Sequence, residues 1–265
     1  METRTARLSL GVWSAAVVVF LWLPLVLICV YAFNSSNIQS WPIAGFSTKW
    51  FRAAWHDQDA RDALVLSLKA AFAATAVALV LGTMAAVAIS RFQFFGREIF
   101  SFLLVLPIAL PGVITGIALS SFYTFWGVNF SLWTIVVGHA TFCVVIVYNN
   151  VLARLRRTSP SLTEASMDLG ADGWQTFRFV TFPVLSTALI SGALLAFALS
   201  FDEVIVTLFT AGAQNTLPIW ILGKIRLGQQ LPEVNAVVFV VVVLTIIPVV
   251  ISQRLAQESG LLRRE

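Results

Sequence analysis

Residues 159–170 read Ser159-Pro160-Ser161-Leu162-Thr163-Glu164-Ala165-Ser166-Met167-Asp168-Leu169-Gly170, a polar stretch between two apolar runs that are each long enough to cross a bilayer. Ser161 and Glu164 have the spacing of a capping box, and Gly170 suits a C-terminal cap, so the pattern predicts a two-turn helix over 162–169. A second helical stretch over 174–182 is expected to stop at Pro183, and it sets Trp174, Phe177 and Val180 along one stripe. A short helix carried beneath a membrane bundle is suited to docking a partner.

The surroundings of this loop make the chain an integral membrane protein. Its 265 residues are 58% hydrophobic and 11% charged, with a mean hydropathy of +0.88. Soluble domains run at about 45–50% and 25%, so a water-soluble globule is excluded. Long apolar runs fall at about 10–33, 64–90, 99–126, 132–153, 184–210 and 234–252, which gives six expected transmembrane helices in a single domain over 1–265. The first run is longer than a signal-peptide core and ends without a small-x-small cleavage site, so a retained helix is expected. Residues 217–223 are too short to cross, and Lys224 and Arg226 follow directly, which predicts a short interfacial or re-entrant helix. Cys29 and Cys143 both sit inside apolar runs, with no spacing that suggests a disulfide framework or a zinc site.

Basic residues set the orientation. With both termini in the cytoplasm, that side receives eleven arginines (Arg4, Arg7, Arg91, Arg97, Arg154, Arg156, Arg157, Arg178, Arg254, Arg263, Arg264) and the other side six basic residues (Lys49, Arg52, Arg61, Lys69, Lys224, Arg226). The net charge of +4 therefore concerns membrane topology and not nucleic acid. Trp41, Trp50, Phe51 and Trp55, in the external segment 34–62, read as interface anchors, with ligand stacking as the alternative.

Four features inside the spans leave alternatives open. Ala70, Ala74, Ala78, Gly82, Ala86 and Ser90 recur every four residues, a stripe for close helix packing either within this chain or against a second subunit. Pro107 and Pro111 disfavour a straight helix, which fits broken backbone beside a pathway or a plain kink. Asp202 and Glu203 lie about 27 Å along a helix from Val184, near the outer end; they face an aqueous pathway or mark a solvated helix end. His139 is alone in the fourth span and fits an interhelical hydrogen-bonding residue better than a ligand.

Glu164-Ala165-Ser166, then Gly170, then Phe182-Pro183 resembles the EAA loop of the membrane subunits of ABC importers. Ser166 stands where that pattern has a second alanine. Phe33-Asn34-Ser35-Ser36, the stretch from Leu106-Pro107 to Gly116, and Ser200-Phe201-Asp202-Glu203 look most like the spermidine/putrescine permeases of that family. The resemblance implies an all-α, type I importer permease fold in the bacterial inner membrane. It implies a coupling helix carrying Glu164, Ala165, Ser166, Asp168 and Gly170, with Pro183 closing the loop. Asp202 and Glu203 would lie on the path of a small, cationic, polyamine-type solute. The implied partners are a second permease chain, two cytoplasmic ATPase subunits that hold ATP and Mg, and an external solute-binding protein. This chain itself would bind no cofactor and no metal and would perform no catalysis.

Other classes fit less well. A permease for another small organic solute remains the nearest alternative, and a secondary transporter a more distant one, since neither internal repeats nor several midplane ionisable groups are evident. An intramembrane enzyme would need a His-Glu-x-x-His or Gly-x-Ser-x-Gly arrangement, which the chain lacks. It also has no Gly-x-x-x-x-Gly-Lys phosphate loop, so ATP hydrolysis is expected elsewhere.

The arginine distribution makes a checkable prediction. With Cys29 and Cys143 replaced, Ser36→Cys should react with an impermeant thiol reagent from outside intact cells, and Ser161→Cys should not. Labelling of position 161 from outside would reverse the topology.

Overall fold

A chain surrounded by hydrocarbon has to pair its amides and carbonyls with one another, and these apolar runs accordingly fold as helices. The computed structural model describes residues 4–159, 161–228 and 230–261. Helix α1 is Arg4–Ala32; a bridge between Asn34 and Phe46 then leads to α2, Lys49–His56. Helix α3 is Gln58–Arg91. The third expected span is two helices, α4 (Arg97–Ala109) and α5 (Gly112–Phe125), bent by 104°. The cause is local: Leu110, which precedes Pro111, is extended at φ −81° and ψ 141°, because the proline ring disfavours helical backbone one residue before it. Pro107 is accommodated inside α4.

Helix α6, Leu132–Arg156, runs uninterrupted. Beyond it come α7 (Ser161–Asp168) and α8 (Gly173–Thr176), followed by a π-helical turn over Phe177–Thr181 that feeds into α9 (Phe182–Phe201). Contrary to the sequence expectation, Pro183 does not stop this helix. It falls in the first turn of α9, where a missing donor is tolerated, and the wide turn before it re-pairs the Phe182 N–H with Phe177 O. The fifth expected span also breaks: α9 ends at Phe201 and α10 covers Ile205–Thr210. The short element after it is α11, Leu217–Leu227, and α12, Leu231–Leu261, carries the last expected span. Arg263 and Arg264 lie outside the described residues.

The chain divides into two compact units, residues 1–61 with 221–265, and residues 62–220. In the first, α12 packs against α1 and α2. The rings of Phe33, Phe51 and Phe239 meet in a cluster with centroids 5.0–5.6 Å apart. The buried Asn34 organises the external loop: its side chain holds Ile38 O and the Ser36 N–H, and its carbonyl accepts from Trp50 Nε1 at 2.7 Å. Trp50 and Phe51 therefore serve the packing of this unit, while Trp41 and Trp55 stand exposed. Lys224 Nζ lies 3.3 Å from Asp57 Oδ2 and donates to Gln230 Oε1 at 2.7 Å. Burial pushes the Asp57 carboxyl up, but the Ala60 N–H and the Lys224 ammonium outweigh it and hold the group below the usual carboxylate value.

The second unit is built on α6. Ala70, Ala74, Ala78 and Ala86 of the small-residue stripe have no exposed surface, and Gly82 lets α3 approach the α6 backbone directly. Of the two readings of the stripe, packing within this chain is the one the structure realises; only Ser90, at the end of the helix, is exposed. Cys143, Val147, Tyr148 and Val151 of α6 complete the core with Leu185 and Ala196 of α9. Tyr148 Oη and Ser101 Oγ share a hydrogen bond at 2.6 Å that ties α4 to α6.

A methyl group separates two outcomes here. A Cβ on Gly82 would sit 2.8 Å from Val144 O, whereas one on Gly11 of α1 meets nothing within 4 Å. Gly82→Ala is expected to destabilise the detergent-solubilised protein by about 1–3 kcal/mol, the usual range for overpacking. Gly11→Ala should leave its Tm unchanged or slightly raised. Equal Tm values for the two variants would contradict the α3–α6 contact.

Candidate functional site

Two ends of α9 carry the residues singled out in the sequence. At its start lies the loop bearing Glu164, Ala165, Ser166, Asp168, Gly170 and Pro183; at its end lie Asp202 and Glu203. The twenty residues of α9 separate these places by about 30 Å.

The loop folds as a small helical hairpin. Helix α7 presents Glu164, Ala165 and Asp168 to solvent, together with Leu162, Met167 and the strongly exposed Leu169. Burial within the chain does not account for the apolar side chains Leu162 and Met167 on this helix of eight residues, or for Leu169 just beyond it. At its C-terminus Gly170 takes φ +84°; its N–H donates to Met167 O and that of Ala171 to Ser166 O, a left-handed cap of the kind glycine favours. The expected capping box between Ser161 and Glu164 is replaced by another arrangement: Ser159 Oγ accepts from the Ser161 N–H and lies 2.6 Å from Ser161 Oγ.

Ser166, which stands at the motif's second alanine position, is more than a small residue. Its hydroxyl pairs at 3.0 Å with that of the buried Thr176, so α7 is fastened to α8 by a polar contact that alanine could not make. Helix α8 begins with a reciprocal cap in which Asp172 Oδ1 accepts from the Gln175 N–H at 2.8 Å and Gln175 Oε1 from the Asp172 N–H at 2.9 Å. The Asp-x-x-Gln spacing is visible in the sequence, and it is the signal by which this cap could have been found. Above the hairpin a cavity of about 450 Å³ is lined by Arg91, Thr158, Glu164, Met167, Thr181 and Val184, and Arg91 Nη2 donates to Thr181 Oγ1 at 3.0 Å.

At the far end, Asp202 caps α9 and is exposed. Glu203 is partly covered, and its Oε1 accepts from the Val206 N–H at 2.9 Å, so this carboxylate starts α10. The pair therefore lies at a helix break and not on a continuous helix, and its two members have different work. The bent α4–α5 element meets this break: Gly112 faces Ile205, and a Cβ on Gly116 would meet Phe209 at 2.5 Å. Two interrupted helices packed on each other are the arrangement that membrane proteins tolerate where backbone lines a cavity or is covered by protein.

His139 lies on α6 with 1% of its surface exposed. It makes contacts that the sequence could not assign: Nδ1 lies 2.7 Å from Ser200 Oγ and Nε2 2.8 Å from Thr207 Oγ1. This is the interhelical hydrogen-bonding role expected of it. Among the described residues no group of three or more His, Cys, Asp or Glu side chains is placed to hold a metal ion.

Residues 78–258 match the family of binding-protein-dependent transport system inner membrane components, and the chain belongs to that family. It is thus a multi-pass permease subunit of an ABC importer in the bacterial inner membrane. Among its relatives is the putrescine transport system permease protein PotI of Escherichia coli (strain K12), 38% identical over 226 residues, which are 82% of this chain and 79% of that protein. The spermidine/putrescine transport system permease protein PotC of the same strain is 31% identical over 255 residues, 96% of each. The fold is shared with a chain of a bacterial ABC transporter involved in the import of the acidic polysaccharide alginate, with a TM-score of 0.71 at 16% identity over 97% of this chain and 98% of that one.

Proposed function

We propose that the chain acts as one permease domain over residues 1–265 and forms half of a path for a small cationic solute of the polyamine type. A second, homologous permease chain would form the other half, and an external binding protein would deliver the solute. Two separate cytoplasmic ATPase subunits would hold ATP and Mg and perform the hydrolysis, so this chain needs no cofactor of its own. Relatives named for putrescine and spermidine transport support the solute class. The fold does not set it, because a similar fold occurs in an importer of an acidic polysaccharide.

The observation that carries the reading is the exposed Asp202 carboxylate at the end of α9, where two broken helices meet. Protonated amines entering a partly dehydrated path need an opposite charge, since an unpaired ion there is strongly disfavoured. Asp202 can meet that need directly. Glu203 holds the backbone of α10 and acts on the solute through the field of its remaining oxygen. At the cytoplasmic end, α7 is the helix that docks on the ATPase, with Glu164, Ala165 and Asp168 on its open surface, Ser166 and Gly170 fixing its pose, and Pro183 leading into α9.

Both ends can be tested in the complete complex reconstituted with its partner subunits. Asp202→Asn should lower putrescine uptake at least about tenfold, equivalent to 1.4 kcal/mol. Glu203→Gln keeps an oxygen for the Val206 N–H and should cost about twofold or less, under 0.5 kcal/mol. Unchanged uptake by Asp202→Asn, or a native solute that proves anionic, would reject the cationic path while leaving the permease family intact.

The docking helix gives a separate prediction. A proline cannot reach φ +84° and would also remove the Gly170 N–H donated to Met167 O, yet the space around that Cβ is open. Gly170→Pro should therefore leave the protein in the membrane while abolishing transport and weakening ATPase copurification. Glu164→Ala should do the same more mildly. Wild-type transport and copurification in both variants would remove the coupling role from this loop.

A further inference from the structure

We infer that His139 is a positioning residue for transport, a clamp that fixes the break between α9 and α10 so that Asp202 is held toward the path. The inference rests on the reading of Asp202 given above, and its test is arranged so that the two can fail separately.

The geometry supplies the direction of every bond in the clamp. Thr207 Oγ1 donates to Glu203 O at 2.7 Å. A hydroxyl has one proton, so Thr207 can meet His139 Nε2 at 2.8 Å only by accepting, and Nε2 carries the ring N–H. The neutral ring then offers the lone pair of Nδ1, which accepts from the Ser200 hydroxyl at 2.7 Å. A single oriented chain results, from Ser200 in the last turn of α9, through His139, to Thr207 in the first turn of α10, and on to the Glu203 carbonyl inside the break. Ser200, His139 and Thr207 are 3%, 1% and 0% exposed, so water does not compete for these groups.

Such a chain does what apolar packing alone cannot. The hydrophobic effect is non-directional, so burial of apolar surface does not by itself select one angle between two half-helices. Hydrogen bonds to both sides of an interruption fix its angle and register. In an uninterrupted helix, residues 200 and 207 would be about 10.5 Å apart along the axis. Two bonds of 2.7 and 2.8 Å and the width of one imidazole reach less than that, so the contact favours the broken geometry.

The same surface of α6 reinforces the arrangement on either side. Thr134 Oγ1 donates to Thr210 O at 2.8 Å, Cys143 Sγ approaches Ala196 O at 3.4 Å, and Gly138 leaves room for Val206 and Thr210. One helix thus holds the end of α9 and the Val206, Thr207 and Thr210 side of α10, with His139 at the centre.

The test separates positioning from simple satisfaction of buried polar groups. In His139→Leu the Ser200 hydroxyl loses its partner, a cost of about 1–3 kcal/mol for a stranded group, while Thr207 keeps its bond to Glu203 O, and less complex should assemble. The double variant His139→Leu, Ser200→Ala removes the stranded hydroxyl as well, and assembly should recover. Putrescine uptake by the reconstituted double variant is nevertheless expected to stay at least about tenfold low in maximal rate, 1.4 kcal/mol or more, with little change in the half-saturating concentration. A double variant that assembles and transports at the wild-type rate would overturn the clamp.

Two further measurements keep the question open to refutation. His139→Gln retains a donor for Thr207 but strands the Ser200 hydroxyl, whereas His139→Asn retains an acceptor for Ser200 and leaves Thr207 its bond to Glu203 O, so satisfaction of polar groups alone favours the Asn variant. Positioning through Glu203 predicts faster transport by the Gln variant; equal rates or a faster Asn variant argue against it, even if the double variant fails to assemble. The second is independent of solute. In a Cys29→Ser, Cys143→Ala background, Val204→Cys should react with an impermeant thiol reagent at a rate that changes when ATP is added to the complex. The His139→Leu, Ser200→Ala double variant should lose that change. Its persistence would overturn the clamp, whereas its loss together with normal putrescine uptake by Asp202→Asn would keep the clamp and reject only the cationic path.

Discussion

Hydrocarbon offers no partner to an unpaired amide or carbonyl, and this single constraint accounts for where the chain is regular and where it departs from regularity. Helices α3 and α6 run without interruption and satisfy their backbones internally. The two interruptions, after Ala109 and after Phe201, are covered by each other and by α6. At the second of them, side chains supply what the helix gives up: the Glu203 carboxylate takes the Val206 N–H and the Thr207 hydroxyl takes the Glu203 carbonyl. The break is therefore a built feature with its own hydrogen-bond plan.

Helix α6 can serve these interruptions because its opposite side is so closely packed. The alanines of α3 and Gly82 bring that helix onto the α6 backbone, and a close-packed contact of this kind has little freedom to shift. A rigid α6 then presents Thr134, Gly138, His139 and Cys143 to α9 and α10 in a fixed frame. The side of α6 around Val144, Val147 and Tyr148 takes the close contact with α3, and the side around Thr134, Gly138 and His139 takes α10.

The cytoplasmic hairpin follows a different logic, since water is available to it. Its helices are short, and α7 owes its pose to the Gly170 cap and the Ser166–Thr176 contact more than to burial. The π turn over Phe177–Thr181 joins α8 to α9 without a break in the helical backbone. It runs from the hairpin to Asp202, about 30 Å along α9.

Several of these features could be read directly from the residues. The apolar runs and arginine flanks were enough for a helical membrane protein, because hydropathy and charge act through the bilayer and need no tertiary partner. Gly170 as a left-handed cap was legible for the same reason, being decided within one turn of chain. Proline was the less reliable guide: Pro111 breaks its span, while Pro183, in a similar apolar setting, is absorbed by the turn before it. The expected 27 Å helix to Asp202 failed to show its end at Phe201, since nothing in Ser200-Phe201-Asp202-Glu203 by itself forbids another turn. What the sequence by itself determined was the identity of the solvent and the local caps. What the tertiary structure alone decided was the pairing of α3 with α6 and the joining of His139 to Ser200 and Thr207, residues 61 and 68 positions away. Such contacts depend on which faces of distant helices meet, and a hydroxyl or imidazole carries no local signal of its partner.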